Sequence, residues 1–139
     1  MKNTLRTSLI SVLALASLAS LGATAGAGNH EFKKTALFNL TAEPKVKPTR
    51  VFLTANSGPY LKKIKWSNWG SNRTVGRGRF IADCASCGPK ENKAMTLTLS
   101  KLRPCPKFGV MAYKKGYLKI NDPKDPNRGA PLPLGCPAG

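Results

Sequence analysis

Apolar and polar residues alternate most cleanly along residues 95–100. Met95, Leu97 and Leu99 share one parity; Thr96, Thr98 and Ser100 share the other. A period of two is the pattern of a half-buried strand, so the apolar set should face a core and the threonines should face outward. Weaker runs of the same kind occur elsewhere. Residues 49–54 are rich in β-branched and aromatic side chains and end in the turn signal Asn56-Ser57-Gly58-Pro59. Residues 60–66 alternate in part, with Tyr60, Ile64 and Trp66 on one parity and Leu61, Lys63 and Lys65 on the other. Residues 67–72 read as a turn, and residues 73–82 as a further strand broken by Gly76 and Gly78. Residues 110–113 and 117–120 flank Lys114-Lys115-Gly116, which predicts a hairpin turn. Together these segments predict an all-β fold, a small antiparallel β-sandwich or barrel of about six strands.

The first 25 residues have a different character. Lys2 and Arg6 precede an uncharged apolar run over residues 9–21, and Ala23-Thr24-Ala25 offers small residues for cleavage. This is the pattern of a secretory signal peptide, and the run is short of the roughly 20 residues a spanning helix needs. The expected organisation is a signal peptide over 1–25, a flexible polar entry segment over 26–48, one β-rich domain over 49–120, and a proline-rich C-terminal tail over 121–139. The expected location is outside the cell, with no membrane-spanning segment after cleavage.

Export changes the meaning of the four cysteines, Cys84, Cys87, Cys105 and Cys136. An even number in a small exported chain predicts a disulfide-stapled domain, although spacing does not choose among the three pairings. A bridge to Cys136 would pin the tail. Cys84-Ala85-Ser86-Cys87 has redox spacing, but Gly88-Pro89 follows it where a thioredoxin-like site needs a helix. Zinc would need a second close pair of ligands, so no metal site is expected. The one histidine, His30, lies in the entry segment, and no cofactor-binding loop opens a helix. No catalytic residue is assigned.

Charge then narrows the partners. The formal net charge is +17, and the leader accounts for only two of the basic residues. Such an excess repels itself in the folded state and attracts polyanions: cell-wall polymer, nucleic acid or acidic polysaccharide. Lys62, Lys63 and Lys65 lie on one predicted arm and Arg73, Arg77 and Arg79 on the next. If the arms pair across the 67–72 turn, these charges share a sheet, with Trp66 and Trp69 beside them for stacking. Lys63, Lys65, Trp66, Trp69, Arg77 and Arg79 are therefore the candidate binding residues.

The order Trp66-Ser67-Asn68-Trp69-Gly70, Gly76-Arg77-Gly78, Asp83-Cys84-Ala85-Ser86-Cys87-Gly88 and Leu97-Thr98-Leu99-Ser100 resembles small secreted proteins of actinomycetes over roughly residues 49–113. Related sequences often carry a proline between the paired cysteines and a further cysteine in the first strand. Here those places hold Ala85-Ser86 and Leu53-Thr54. The resemblance implies compartment and fold type, with no established activity. Two readings follow. One is an exported, non-enzymatic basic β-domain that binds anionic cell-envelope polymers or other polyanions. The other is a secreted hydrolase acting on a polyanion, with Asp83 or Glu91 as an acid–base group.

Overall fold

A computed structural model describes residues 31–56, 58–83 and 89–138. The leader, its cleavage site and His30 lie outside the described residues, as do Cys84 and Cys87. The strands are β1 (Thr35–Ala36), β2 (Arg50–Phe52), β3 (Tyr60–Ser67), β4 (Arg73–Ala82), β5 (Glu91–Cys105), β6 (Val110–Ile120) and β7 (Gly129–Pro133). They form one seven-stranded sheet in the order β1-β6-β5-β4-β3-β2, with β7 also beside β6. The sheet curls into a half-barrel. The fold is all-β, and of the expected sandwich or barrel it is a half-barrel made of one curled sheet.

The reason lies in how apolar residues are distributed. Inward positions of β2 to β6 carry Val51, Leu61, Ile64, Phe80, Leu97 and Leu118, all within one core cluster. Outward positions of the same strands are mainly Lys, Arg and Thr. That charged face has to stay in water, because a buried unpaired charge costs far more than packing returns, so all burial falls to the other face. Curling lets that apolar face wrap around itself. Met95, Leu97 and Leu99 are buried, and Thr96 and Thr98 face outward, as the alternation requires.

β1 and β2 stand at opposite edges of the sheet, so the intervening chain must cross the open side. That crossing is anchored by mutual backbone hydrogen bonds between Leu37 and Lys45, and Trp66 Nε1–H donates to the Pro48 carbonyl at 2.9 Å. The segment read as a polar entry therefore supplies core: Ala36, Leu37 and Phe38 are buried. β1 reaches β6 in the sheet's one parallel pair, Thr35 to Met111 and Ala36 to Ala112.

Two further expectations are corrected. Lys114-Lys115-Gly116 makes no turn; β6 runs straight through it. Gly116 is there for packing, since a Cβ would stand 2.8 Å from Leu134 Cδ1. The reversal lies earlier, at the 3₁₀ turn Pro106–Phe108, closed by Gly109 at φ +61°. The tail also returns to the sheet, because β7 pairs antiparallel with residues 115–119. Cys105 and Cys136 form a disulfide that holds this returning chain to the end of β5.

Candidate functional site

Pairing of β3 with β4 decides which side chains share a face. Lys62 lies opposite Arg79, but Lys65 lies opposite Arg77, so β3 has one residue more than β4 in between. Lys63, at φ +53°, takes up that extra residue as a β-bulge. The bulge reverses parity. Leu61 before it and Ile64 and Trp66 after it all point inward, which simple alternation along residues 60–66 does not anticipate. Lys62 and Lys65 consequently point outward together.

Cross-strand register then lays out the outer face in rows. One row runs Arg50, Lys62, Arg79, Ala94. The next runs Lys65, Arg77, Thr96, Lys119. Beyond it come Ser67, Val75, Thr98 and Tyr117, then Arg73, Ser100 and Lys115. No acid occupies any position in these rows. Among the described residues, Glu43, Asp83, Glu91 and Asp122 pair with Lys45, Lys90, Lys93 and Arg128, and no ion pair neutralises the outer-face cations. Arg79 is oriented by Asn92, its Nε donating to Asn92 Oδ1 at 2.8 Å. Like charges directly opposite on neighbouring strands are destabilising. Arg50·Lys62, Lys62·Arg79 and Lys65·Arg77 are three such pairs on adjoining strands.

The structure thus brings Lys65, Arg77 and Arg79 together and sets exposed Lys63 at their edge, on the bulge. It does not bring the tryptophans to them. Trp66 lies on the inner face over Gly76, where a Cβ would stand 2.7 Å from its ring. Trp69 packs edge-on against both Trp66 and Tyr113, with centroid separations of 4.9 and 5.5 Å. Gly76 and Gly78 are inward positions that make room for the bulky residues of β3 and β5. The Tyr113 hydroxyl donates to Thr74 Oγ1 and accepts from the Gly70 amide, both at 2.9 Å, while Thr74 donates to the Asn68 carbonyl at 2.5 Å. That buried relay ties the 67–72 turn to the core, so both tryptophans serve packing.

Asp122, Glu91, Lys93 and Arg128 form a separate ion-pair cluster where the 121–128 loop folds back beside the start of β5. Lys93 Nζ bonds Asp122 Oδ2, and Arg128 bridges Glu91 at 2.8 Å and Asp122 at 3.2 Å. The hydrogen bond from Lys93, helped by the Lys124 amide, holds the Asp122 carboxyl down from 3.8 to about 2. Arg128 holds Glu91 below its ordinary value as well. A carboxylate kept ionised by a guanidinium is a poor proton donor at neutral pH, which weighs against Glu91 as a general acid. Asp83 pairs with Lys90 at 2.7 Å. A cavity of about 170 Å³ between the crossing segment and β2 is lined by Leu37, Leu40, Val51 and Phe52 with polar neighbours, and carries no carboxylate, histidine or cysteine. Among the described residues no group of three His, Cys, Asp or Glu is placed to hold a metal ion.

The cluster makes a pH prediction with a definite sign. Both carboxylates have folded values below their unfolded ones, so their stabilisation is complete above about pH 4.5 and is lost as pH falls toward 2. Asp122→Asn should lower the melting temperature at pH 7, and its melting curve should converge on that of the unaltered protein near pH 2. A gap of constant size from pH 7 to pH 2 would show that the cluster does not contribute through charge.

Comparison with known proteins finds no matching family, no matching curated protein and no matching solved structure. Among the described residues no helix is long and apolar enough to cross a membrane.

Proposed function

We propose that this protein is an exported, non-enzymatic domain that binds polyanions through the outer face of its half-barrel. The observation that carries the reading is the set of cross-strand rows: Arg50, Lys62, Lys65, Arg73, Arg77, Arg79, Lys115 and Lys119 on one surface, with no acid among them. The arrangement costs stability in the free protein through repulsion at close range. A polyanion laid across the face relieves that repulsion and gains counterion release on binding. Export brings the face to anionic cell-envelope polymers and to other extracellular polyanions. Export is supported by the leader pattern and by the Cys105–Cys136 disulfide.

The test compares two sets of substitutions on a polyphosphate probe. Replacing Lys65, Arg77, Arg79 and Lys119 with Gln should weaken binding by roughly tenfold or more at low salt. The slope of log K against log[salt] should flatten by roughly one for each phosphate that no longer meets a cation. Replacing Lys33, Lys34, Lys107 and Lys124, exposed lysines off this face, should do much less. Equal losses from both sets would mean that total charge acts without a defined face.

A further inference from the structure

We infer that the outer face takes single-stranded nucleic acid, with Tyr117 as its base-stacking platform. This rests on the polyanion reading above and goes beyond it by naming the polymer. Tyr117 is outward on β6 and about half exposed, at 49 %. It stands beside Thr98 in the row between those of Lys119 and Lys115. Its ring is directed across β7 toward Gly129. A Cβ on Gly129 would stand 2.7 Å from the Leu118 carbonyl oxygen, 2.8 Å from Tyr117 Oη and 3.1 Å from Cζ, so the ring lies close over a position that the backbone itself keeps as glycine. Directly opposite Tyr117 on β7 is Pro131, and on its other side is Thr98.

Along β6 the outward order is Lys115, Tyr117, Lys119, cation, aromatic, cation, with neighbours about 7 Å apart on a strand. A single nucleic-acid strand offers both partners, phosphates for the lysines and, branching from the sugars between them, bases for the ring. Its bases are free to stack, and stacking on an aromatic side chain tolerates any sequence. A duplex keeps its base faces inside its own stack and would meet this convex surface by charge alone. A polymer of phosphates or uronates without bases has no flat π face to set on Tyr117. The stacking residue is thus on β6, across the sheet from the tryptophans that the sequence pattern nominates.

The experiment uses the full-length processed protein and three labelled probes: a dT 12-mer, an abasic 12-mer of equal charge, and a 12-base-pair duplex. The dT strand should bind roughly tenfold more tightly than the abasic strand. Tyr117→Ala should remove that advantage, bringing dT binding down to the level of the abasic strand, while Tyr117→Phe should keep it. Equal binding of dT and abasic strands, with both lost in the Lys65, Arg77, Arg79 and Lys119 variant, would overturn the nucleic-acid inference and leave the polyanion reading standing. Tighter binding of duplex than of dT would overturn it too. Retention of polygalacturonate in preference to dT, lost in Tyr117→Ala, would reassign the platform to a glycan. No binding of any probe at low salt would remove both.

Discussion

Replacing Cys105 and Cys136 together with alanine is expected to lower the unfolding free energy by about 3–4 kcal/mol on the chain-entropy model. The bridge spans 31 positions and encloses the Pro106–Phe108 turn, β6, the 121–128 loop and β7. Without it, the unfolded ensemble regains the freedom of that whole loop. In the folded state the returning chain is otherwise held by the β6–β7 ladder and by Leu132 and Leu134 packed over Gly116. Most of β7 is exposed, with Leu132 half-buried as its main apolar anchor. Cys105 is fully buried in a small cluster with Ala36, Phe38, Val110 and Ala112, which ties β1, β5 and β6 at one end. Urea unfolding gives the free energy, and hydrogen exchange gives its distribution: amides of β7 should lose protection before those of β4 and β5. The alanine pair is a cleaner test than reduction, which acts on every cysteine in the chain. A loss below about 1 kcal/mol would mean that the tail is held by packing and that the bridge adds little.

Local pattern made much of the architecture legible. The period-two run at residues 95–100 placed the inward and outward sets of β5 correctly, because a strand buried on one side leaves no other solution. Strand pairing across the 67–72 turn also followed from short-range signals. Three features depended on long-range geometry instead. The bulge at Lys63 has no sequence marker, since a lysine at positive φ resembles any surface lysine. Gly116 beside two lysines imitates a turn, and only the return of Leu132 and Leu134 over it explains the glycine. β1 and β7 are too short to show periodicity and are ordered by docking onto β6.

The candidate face was partly legible for the same reasons. Lys65, Arg77 and Arg79 could be grouped from the hairpin alone. Lys115, Tyr117 and Lys119 were hidden by reading residues 114–116 as a turn, which removed β6 from the outer face. The tryptophans misled because an aromatic residue among basic ones looks the same in sequence whether it points inward or outward. The usable signal was the parity of Thr96 and Thr98. Once those threonines face outward, register places Arg77 of β4 and Lys119 of β6 on the same side.

Gly78→Ala is expected to destabilise the protein by about 3 kcal/mol, at the upper end of the usual range for overpacking. A Cβ at this position would stand 2.6 Å from the Lys62 carbonyl oxygen, 3.2 Å from Ile64 Cα and 3.0 Å from Met95 Cε. The methionine can swing aside, but the carbonyl belongs to the backbone at the β3 bulge. β4 cannot retreat from it, because its other edge is paired with β5 from Arg73 to Ala82. The two strands must therefore separate or the bulge must re-form. Gly109→Ala is the control. Its φ of +61° penalises alanine, but nothing lies within 4 Å, so the cost should stay near about 1 kcal/mol. Urea midpoints of the two variants decide between strain in space and strain in dihedral angle. A Gly78→Ala loss no larger than that of Gly109→Ala would show that the strand pair yields easily. The same substitution reaches the outer face, because the bulge opposite Gly78 sets Lys62 against Arg79 and Lys65 against Arg77. Under conditions where the variant remains folded, polyphosphate should therefore bind it more weakly than it binds Gly109→Ala. Equal affinity would mean that the cations act as a diffuse charge, indifferent to the register that the glycine maintains.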